Sequence, residues 1–410
     1  MTENFITNIF IKNSRNIKDL EIPLSNDVRQ HLILTGKNGS GKTSLLLEIN
    51  KFLTKIDDGS FQHFSNQKNH QENVEQQLLN PNIIADQRLN LERTLKGVQE
   101  WFANFGGTKI KFSGSENTIF EKSQNGEFLL AFFDSKRHTN LNIPQGINKI
   151  NLQKKYHLND KANSNFIQYI VNLKADRSFA RDDNEKDVVD KIDKWFERLE
   201  NRLKQIFDVS NLELRFDRKS YNFDIITDKN TPFNFNNLSD GYSAIISIVT
   251  ELLLRMEAHE VKSYDLEGIV IIDEIETHLH VDLQKKILPF LTDFFPKLQF
   301  IVTTHSPFVL SSLSNTTICD LETRTVTTDL SGYSYDALLE SYFKTDKYSE
   351  EIKSKIIEFD KLTSLTEKTI EQLNQIRILR NYFAHTPKYL SNELLVKLQQ
   401  IELNELNNKK

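Results

Sequence analysis

The sequence predicts an α/β fold: a mixed sheet with flanking helices, helical insertions and a C-terminal α-helical region. Three observations predict it. A glycine-rich loop, GKNGSGKT (Gly36 to Thr43), stands between an apolar strand, HLILT, and an apolar helix, SLLLEINKFLTK. Two further apolar strands end in reactive side chains, GIVIIDE at Asp273 and Glu274 and FIVTTHSP at His305. From Tyr333 onward the chain is charged and helical in pattern, with no strand signal.

Taken in order, residues 5–34 read as strands FITNIFI, LEIPL and HLILTG, before the glycine loop and its helix. Residues 51–104 are polar, rich in Gln and Asn and helical in flavour, and form a first helical insertion. Strand character returns at TKIKFSG and EFLLAFFDS, and residues 139–165 read as a loop turning at NIPQG. A second helical insertion spans about 183–208. Its amphipathic helix sets Val188, Ile192, Trp195, Phe196, Leu199 and Leu203 on one face. LELRF and YNFDIIT alternate as a hairpin. NLSDGY then starts an apolar helix, SAIISIVTELLLRM, with Ser239 or Asp240 at its N-cap. Such a start offers unpaired N–H groups and a positive dipole end to an anion. GIVIID, a helix from Leu283, LQFIVTTH, TTICDLE and TVTTDL complete a domain placed at 1–332, with a helical region at 333–410. No internal repeat or sustained heptad pattern is present, so long coiled-coil arms are not expected.

Composition narrows the function classes. The 410 residues carry a net charge of −5, so attraction to nucleic acid would need a local basic patch. Cys319 is the single cysteine, which excludes a disulfide framework and a cysteine zinc site. The first residues lack the features of a signal peptide, and no apolar run is long enough for a bilayer. The expectation is a cytoplasmic protein without a membrane partner.

The loop Gly36, Lys37, Asn38, Gly39, Ser40, Gly41, Lys42, Thr43 fits G-x-x-x-x-G-K-[ST] in its confirming context. Its glycines let backbone N–H groups curl around phosphates. Lys42 would neutralise the β and γ phosphates, and Thr43 would hold Mg2+ through its hydroxyl. Asp273 can reach the Mg2+ shell and Glu274 can polarise the attacking water. His305 has a side chain of near-neutral pKa where it can donate to the γ phosphate. His278 and His280 stand at i, i+2 without a third ligand, which is a weak basis for a metal site.

Together GKNGSGKT, LSDGY, GIVIIDE, ETHLH and TTHSP resemble the ABC-type ATPases of the SMC, RecF and OLD groups, in order and spacing from residue 1 to about 330. The segment from IDEIETHLH to TTHSPFVLSS is similar to the OLD-related ATPases of bacterial anti-phage systems, including the Septu and PARIS types. The resemblance implies an ABC-ATPase head and a homodimer with two shared ATP sites. The helix start at Ser239 and Gly241 would act on the γ phosphate held by the other chain. Asp273, Glu274 and His305 map onto the Walker B aspartate, catalytic glutamate and switch histidine. Gln168, in FIQYIVN, is assigned as the Mg2+-sensing glutamine, and Arg15 as the basic residue near the nucleotide. The signature reads LSDGY rather than LSGGQ, so Asp240 brings a negative charge toward the phosphate.

The OLD proteins add a Toprim nuclease, for which the residues after the core supply neither the strands nor a D-x-D pair. The expectation is therefore an ATPase and scaffold for a separate effector nuclease. One alternative is a HEPN-like ribonuclease at RNYFAH, with Arg380 steadying phosphorane charge and His385 as acid or base. With 10 histidines in the chain, chance alone supplies about one such match. A RecF-like DNA-repair ATPase is the other alternative. The stripe Ile352, Ile356, Ile357, Leu362 predicts a surface for a partner helix.

Overall fold

The computed structural model describes residues 3–228, 232–258, 265–339, 350–365, 367–385, 396, 398–401 and 403. They form two compact units, Met1–Tyr333 and Ser334–Lys410. No described helix is long and apolar enough to cross a membrane.

The first unit opens with β1 (Ile6–Ser14) and β2 (Ile17–Pro23), an antiparallel hairpin, then β3 (His31–Thr35), every residue of which is buried. The glycine loop follows, and α1 (Lys42–Asp57) leaves it. Helices α2 (Phe64–Leu78) and α3 (Ala85–Ala103) pair as a polar hairpin, where the sequence places its first insertion. Strand β4 (Thr108–Phe112) returns to pair with β1, and α4 (Glu116–Gln124) leads into β5 (Phe128–Phe133). After a long coil come α5 (Phe166–Asp182) and α6 (Lys186–Phe207), packed together. A small antiparallel sheet follows, from β6 (Leu212–Asp217), β7 (Asn222–Thr227) and the two-residue β8 (Phe233–Asn234). The buried α7 (Asp240–Glu257), β9 (Glu267–Ile272), α8 (Val281–Phe294), β10 (Leu298–Thr303), the single turn α9 (Pro307–Leu310), β11 (Thr316–Asp320) and β12 (Thr325–Thr328) complete the unit.

The central sheet runs β12-β11-β3-β10-β9-β5. All neighbours are parallel except β11 and β12. The fold is α/β, a mixed sheet with flanking helices. Helix α1 lies between this sheet and the β2-β1-β4 sheet. Leu45, Leu46, Ile49, Phe52 and Leu53 share one core with Ile9 and Ile22 on one side and Leu34, Ile271 and Ile301 on the other. Strands buried on both faces are continuously apolar, which is why β3, β9 and β10 are legible as short apolar runs.

On α6 the expected face is buried from Ile192 to Leu203, but Val188 is exposed at the helix start, one turn before packing begins. The second unit holds the single turn α10 (Tyr335–Ala337), α11 (Glu350–Thr363) and α12 (Ile370–His385). Here the α11 stripe departs from expectation. Ile356 and Phe359 pack with Ile376, Leu379 and Phe383 of α12, and Ile352 and Leu362 pack against that cluster. Only Ile357 of the stripe faces outward, at 67 % exposure. An apolar stripe marks a face to be covered, and the covering helix is in the same unit.

Candidate active site

Because β3, β10, β9 and β5 are parallel, their C-terminal ends lie on one edge of the sheet, and ligand sites in such sheets form there. Backbone bonds hold the four ends in step: Thr304 N–H to Leu34 O at 3.0 Å, Ile275 N–H to Thr303 O at 3.0 Å, and Asp273 N–H to Phe133 O at 2.9 Å. The glycine loop, Asp273–Glu274, His305 and the 134–139 segment therefore converge, although up to 269 residues separate them.

The loop leaves β3 through Gly36, Gly39 and Gly41 at φ 130°, 84° and 102°, a region open mainly to glycine. A side chain at Gly36 would meet Ser40 Oγ at 2.8 Å. Lys42 is 7 % exposed, and its ammonium donates to Gly36 O at 2.9 Å and Lys37 O at 3.2 Å. Burial lowers its pKa against the pull of Glu276, Glu274 and Asp273. Lys37 pairs instead with Glu322, and Asn38 and Gly39 are exposed at the tip. The start of α1 supplies unpaired N–H groups toward the same space.

Asp273, 5 % exposed, accepts from Thr43 Oγ1 at 3.0 Å and from Thr303 Oγ1 at 2.6 Å. Thr303 Oγ1 in turn accepts the Glu274 N–H at 2.6 Å. Glu274 is left-handed, φ 46°, which aims the carboxylate off the strand line, and Thr277 Oγ1 donates to it at 3.1 Å. A hydroxyl and a carboxylate make a hard oxygen pair that suits Mg2+. The buried Ser40 Oγ and Glu276 Oε2 have no protein partner, which leaves polar capacity beside the loop for a phosphate and its ion. The residues fit Mg2+ and a nucleotide triphosphate.

The backbone N–H of His305 donates to Glu276 at 2.5 Å, and its ring is half-buried. Burial, then the charge of Lys42, lowers the His305 pKa, so the ring is neutral at neutral pH. Arg15 lies in the β1–β2 turn with φ 50°. That hairpin abuts the loop, since a side chain at Gly41 would meet Ile17 at 3.2 Å. Ser239 N-caps α7 and is exposed, with no capping bond from its side chain. Gly241 passes so close to His278 O that a Cβ would sit 2.8 Å away. Asp240 occupies the first turn of α7, where a carboxylate favours the helix dipole but opposes an incoming phosphate. Gln168, on α5, donates from Nε2 to Gly146 O and to Asn172 Oδ1, both at 3.0 Å, rather than to Thr43 or Asp273.

Two residues at the centre escaped the motif reading. Glu276 ties the Asp273–Glu274 segment to His305. Arg137, 4 % exposed, donates to Asp273 O at 2.5 Å and Glu274 O at 2.8 Å. The available signal was positional: DSKRH follows the apolar FLLAFF, as DE and HS follow theirs. In the second unit Arg380 and His385 are exposed on α12, where five residues turn side chains about 140° apart. The His385 ring bonds to Asn381 O at 2.8 Å.

Several known proteins are similar to this chain. The chain is 26 % identical over 321 residues to Septu protein PtuA of Bacillus mycoides (strain KBAB4), covering 76 % of this chain and 39 % of that protein. It is 38 % identical over 99 residues to Retron Ec83 probable ATPase of Escherichia coli, covering 23 % of this chain and 18 % of that protein. The chain thus spans well under two thirds of these curated relatives. Among solved structures it is similar to the SMC head domain from Thermotoga maritima, at 13 % identity and TM-score 0.36, over 77 % of this chain and 94 % of that one. The family model described as "AAA domain, putative AbiEii toxin, Type IV TA system" matches residues 32–311, from β3 to the residue after α9. The chain belongs to this AAA-domain family and is related in sequence to Septu protein PtuA and the Retron Ec83 probable ATPase.

Proposed function

We propose that the chain hydrolyses ATP at sites shared between two copies, and that this cycle controls a separate effector in anti-phage defence. The observation that carries it is the convergence of Thr43 and Thr303 on the Asp273 carboxylate beside the Lys42 loop. Thr43 and Asp273 would hold Mg2+, which when bound supplies charge neutralisation across the phosphates. Lys42 exchanges its two loop carbonyls for the phosphate oxygens, a low-cost swap because both partners are acceptors. Glu274 accepts a proton from the attacking water, and neutral His305 donates to the γ phosphate. The exposed Ser239 start of α7 suits contact with a triphosphate on a second copy. The defence context rests on the Septu and retron relatives, and the separate effector on the resemblance to the anti-phage ATPases.

The test is ATP turnover alongside binding of a fluorescent ATP analogue. Glu274→Gln should bind the analogue and lose turnover by about 100-fold or more, accumulating a closed dimer. Lys42→Ala should lose binding itself. Turnover in Glu274→Gln at the wild-type rate would remove Glu274 from the reaction.

A further inference from the structure

The bend between Asp273 and Glu274 has no ladder partner on its carbonyl side. Asp273 lies just past the end of β9, and Glu274 at φ 46° turns the chain away. Carbonyls that leave a sheet still need donors when buried. Arg137 supplies them, sharing Glu274 O with the N–H of Thr277 at 2.9 Å: its Nη1 donates to Asp273 O at 2.5 Å and to Asp134 O at 2.6 Å, and its Nη2 to Glu274 O at 2.8 Å. The next two residues continue the connection. The His138 ring lies 5.6 Å from that of His278, which is also left-handed at φ 66°. Thr139 is bound to Ser243 in the first turns of α7 on both sides: its N–H donates to Ser243 Oγ at 2.7 Å and its Oγ1 to Ser243 O at 2.7 Å. Three consecutive residues thus touch the carboxylate pair, the segment after it, and the helix that begins at Ser239.

We propose that Arg137 is a positioning residue for hydrolysis, and that residues 137–139 form a strap linking the Asp273–Glu274 bend to the signature helix of the same chain. This rests on the assignment of Asp273 and Glu274 above. Arg137 donates to backbone carbonyls, so it acts by fixing the backbone that aims Glu274. A planar fork reaches three carbonyls at once, which a single ammonium does not. Because the strap ends on α7, a displacement of that helix when it engages a second copy is carried to the carboxylate of its own chain.

The test reads turnover and analogue binding separately. Arg137→Ala should lower kcat at least tenfold while analogue affinity stays within about twofold. Arg137→Lys keeps the buried charge, controls for folding, and should fail to restore turnover. Millimolar guanidinium should partly rescue Arg137→Ala and leave Arg137→Lys unchanged. A cavity of about 450 Å³ lined by Asp134, Lys136, Arg137 and His138 gives it a route. Thr139→Val should lower kcat less than Arg137→Ala, and the double variant should be no worse than Arg137→Ala alone, since both act through one path. Wild-type kcat in Arg137→Ala, or full turnover in Arg137→Lys, overturns the positioning role. Additive losses in the double variant overturn the strap. A wild-type chain that binds but never hydrolyses ATP would instead defeat the functional reading.

Discussion

His305 carries the most direct consequence of the site's electrostatics. Its ring is half-buried beside Lys42, and both burial and that charge disfavour the imidazolium. The sign is therefore fixed: its pKa falls below the usual 6.5, which favours the neutral ring. A neutral imidazole donates from one nitrogen without adding a second cation beside Lys42. In the nucleotide-free protein, an NMR titration should give a His305 midpoint below 6.5. The acid limb of kcat/KM should lie there too, and His305→Gln should abolish that limb while lowering turnover about 10- to 100-fold. A midpoint above 6.5 would mean that the carboxylates Glu276, Glu274 and Asp273 outweigh Lys42 and burial.

Among the elements, the parallel strands were the most legible in sequence and the most sensitive to charge. His31 opens β3 at 6 % exposure, and its Nδ1 accepts the N–H of Phe300 at 3.1 Å. Burial, then Arg29, pushes its pKa down to about 3. The unfolded chain binds this proton below about 6.5 and the folded one does not. Stability from this group is thus complete above pH 6.5 and is lost as pH falls toward 3, by about 1.4 kcal/mol per unit at most. Urea midpoints between pH 7.5 and 5 should fall more steeply for wild type than for His31→Gln, whose amide oxygen can still accept from Phe300. Equal slopes would show that His31 protonates in the folded state. The strands, and the loop and carboxylates at their ends, could be read because each lies within one contiguous run. Other parts could not. The short apolar start and polar second half of α5 gave no stripe to follow, and on that helix Gln168 turns to Asn172 and Gly146. The α11 stripe reported burial correctly, but periodicity does not say whether the cover is a partner or α12. Arg137 was hidden because its role is to serve two carbonyls 136 and 137 residues away, a relation that no local pattern encodes.

At the scale of the whole molecule, the proposed shared site divides the first unit's reactive groups between two places. The Lys42 loop, Asp273 and Glu274 converge at the strand ends, whereas Ser239 is exposed with its side chain uncommitted at the start of α7. A two-fold dimer that sets each helix start on the other copy's loop uses both halves twice. That geometry makes a prediction which a self-contained site does not. Lys42→Ala removes the phosphate charge of one site, and Ser239→Arg blocks the helix start that completes the other. Each homodimer should be inactive. In a mixed dimer both lesions fall on the same composite site, so the remaining site is intact. Random mixing of equal amounts makes about half the dimers mixed, each with one working site of two, so activity should recover to about a quarter of wild type if the sites act independently. The measurement is ATP turnover after mixing, with heterodimers verified by two affinity tags. Recovery near that level requires a site built from two chains, and no recovery despite proven heterodimers would mean that Ser239 serves the nucleotide of its own chain or that one site cannot turn over alone. Isolated mixed dimers carrying Glu274→Gln on only one copy separate these two outcomes, because strict coupling silences both sites while independent sites retain half the rate.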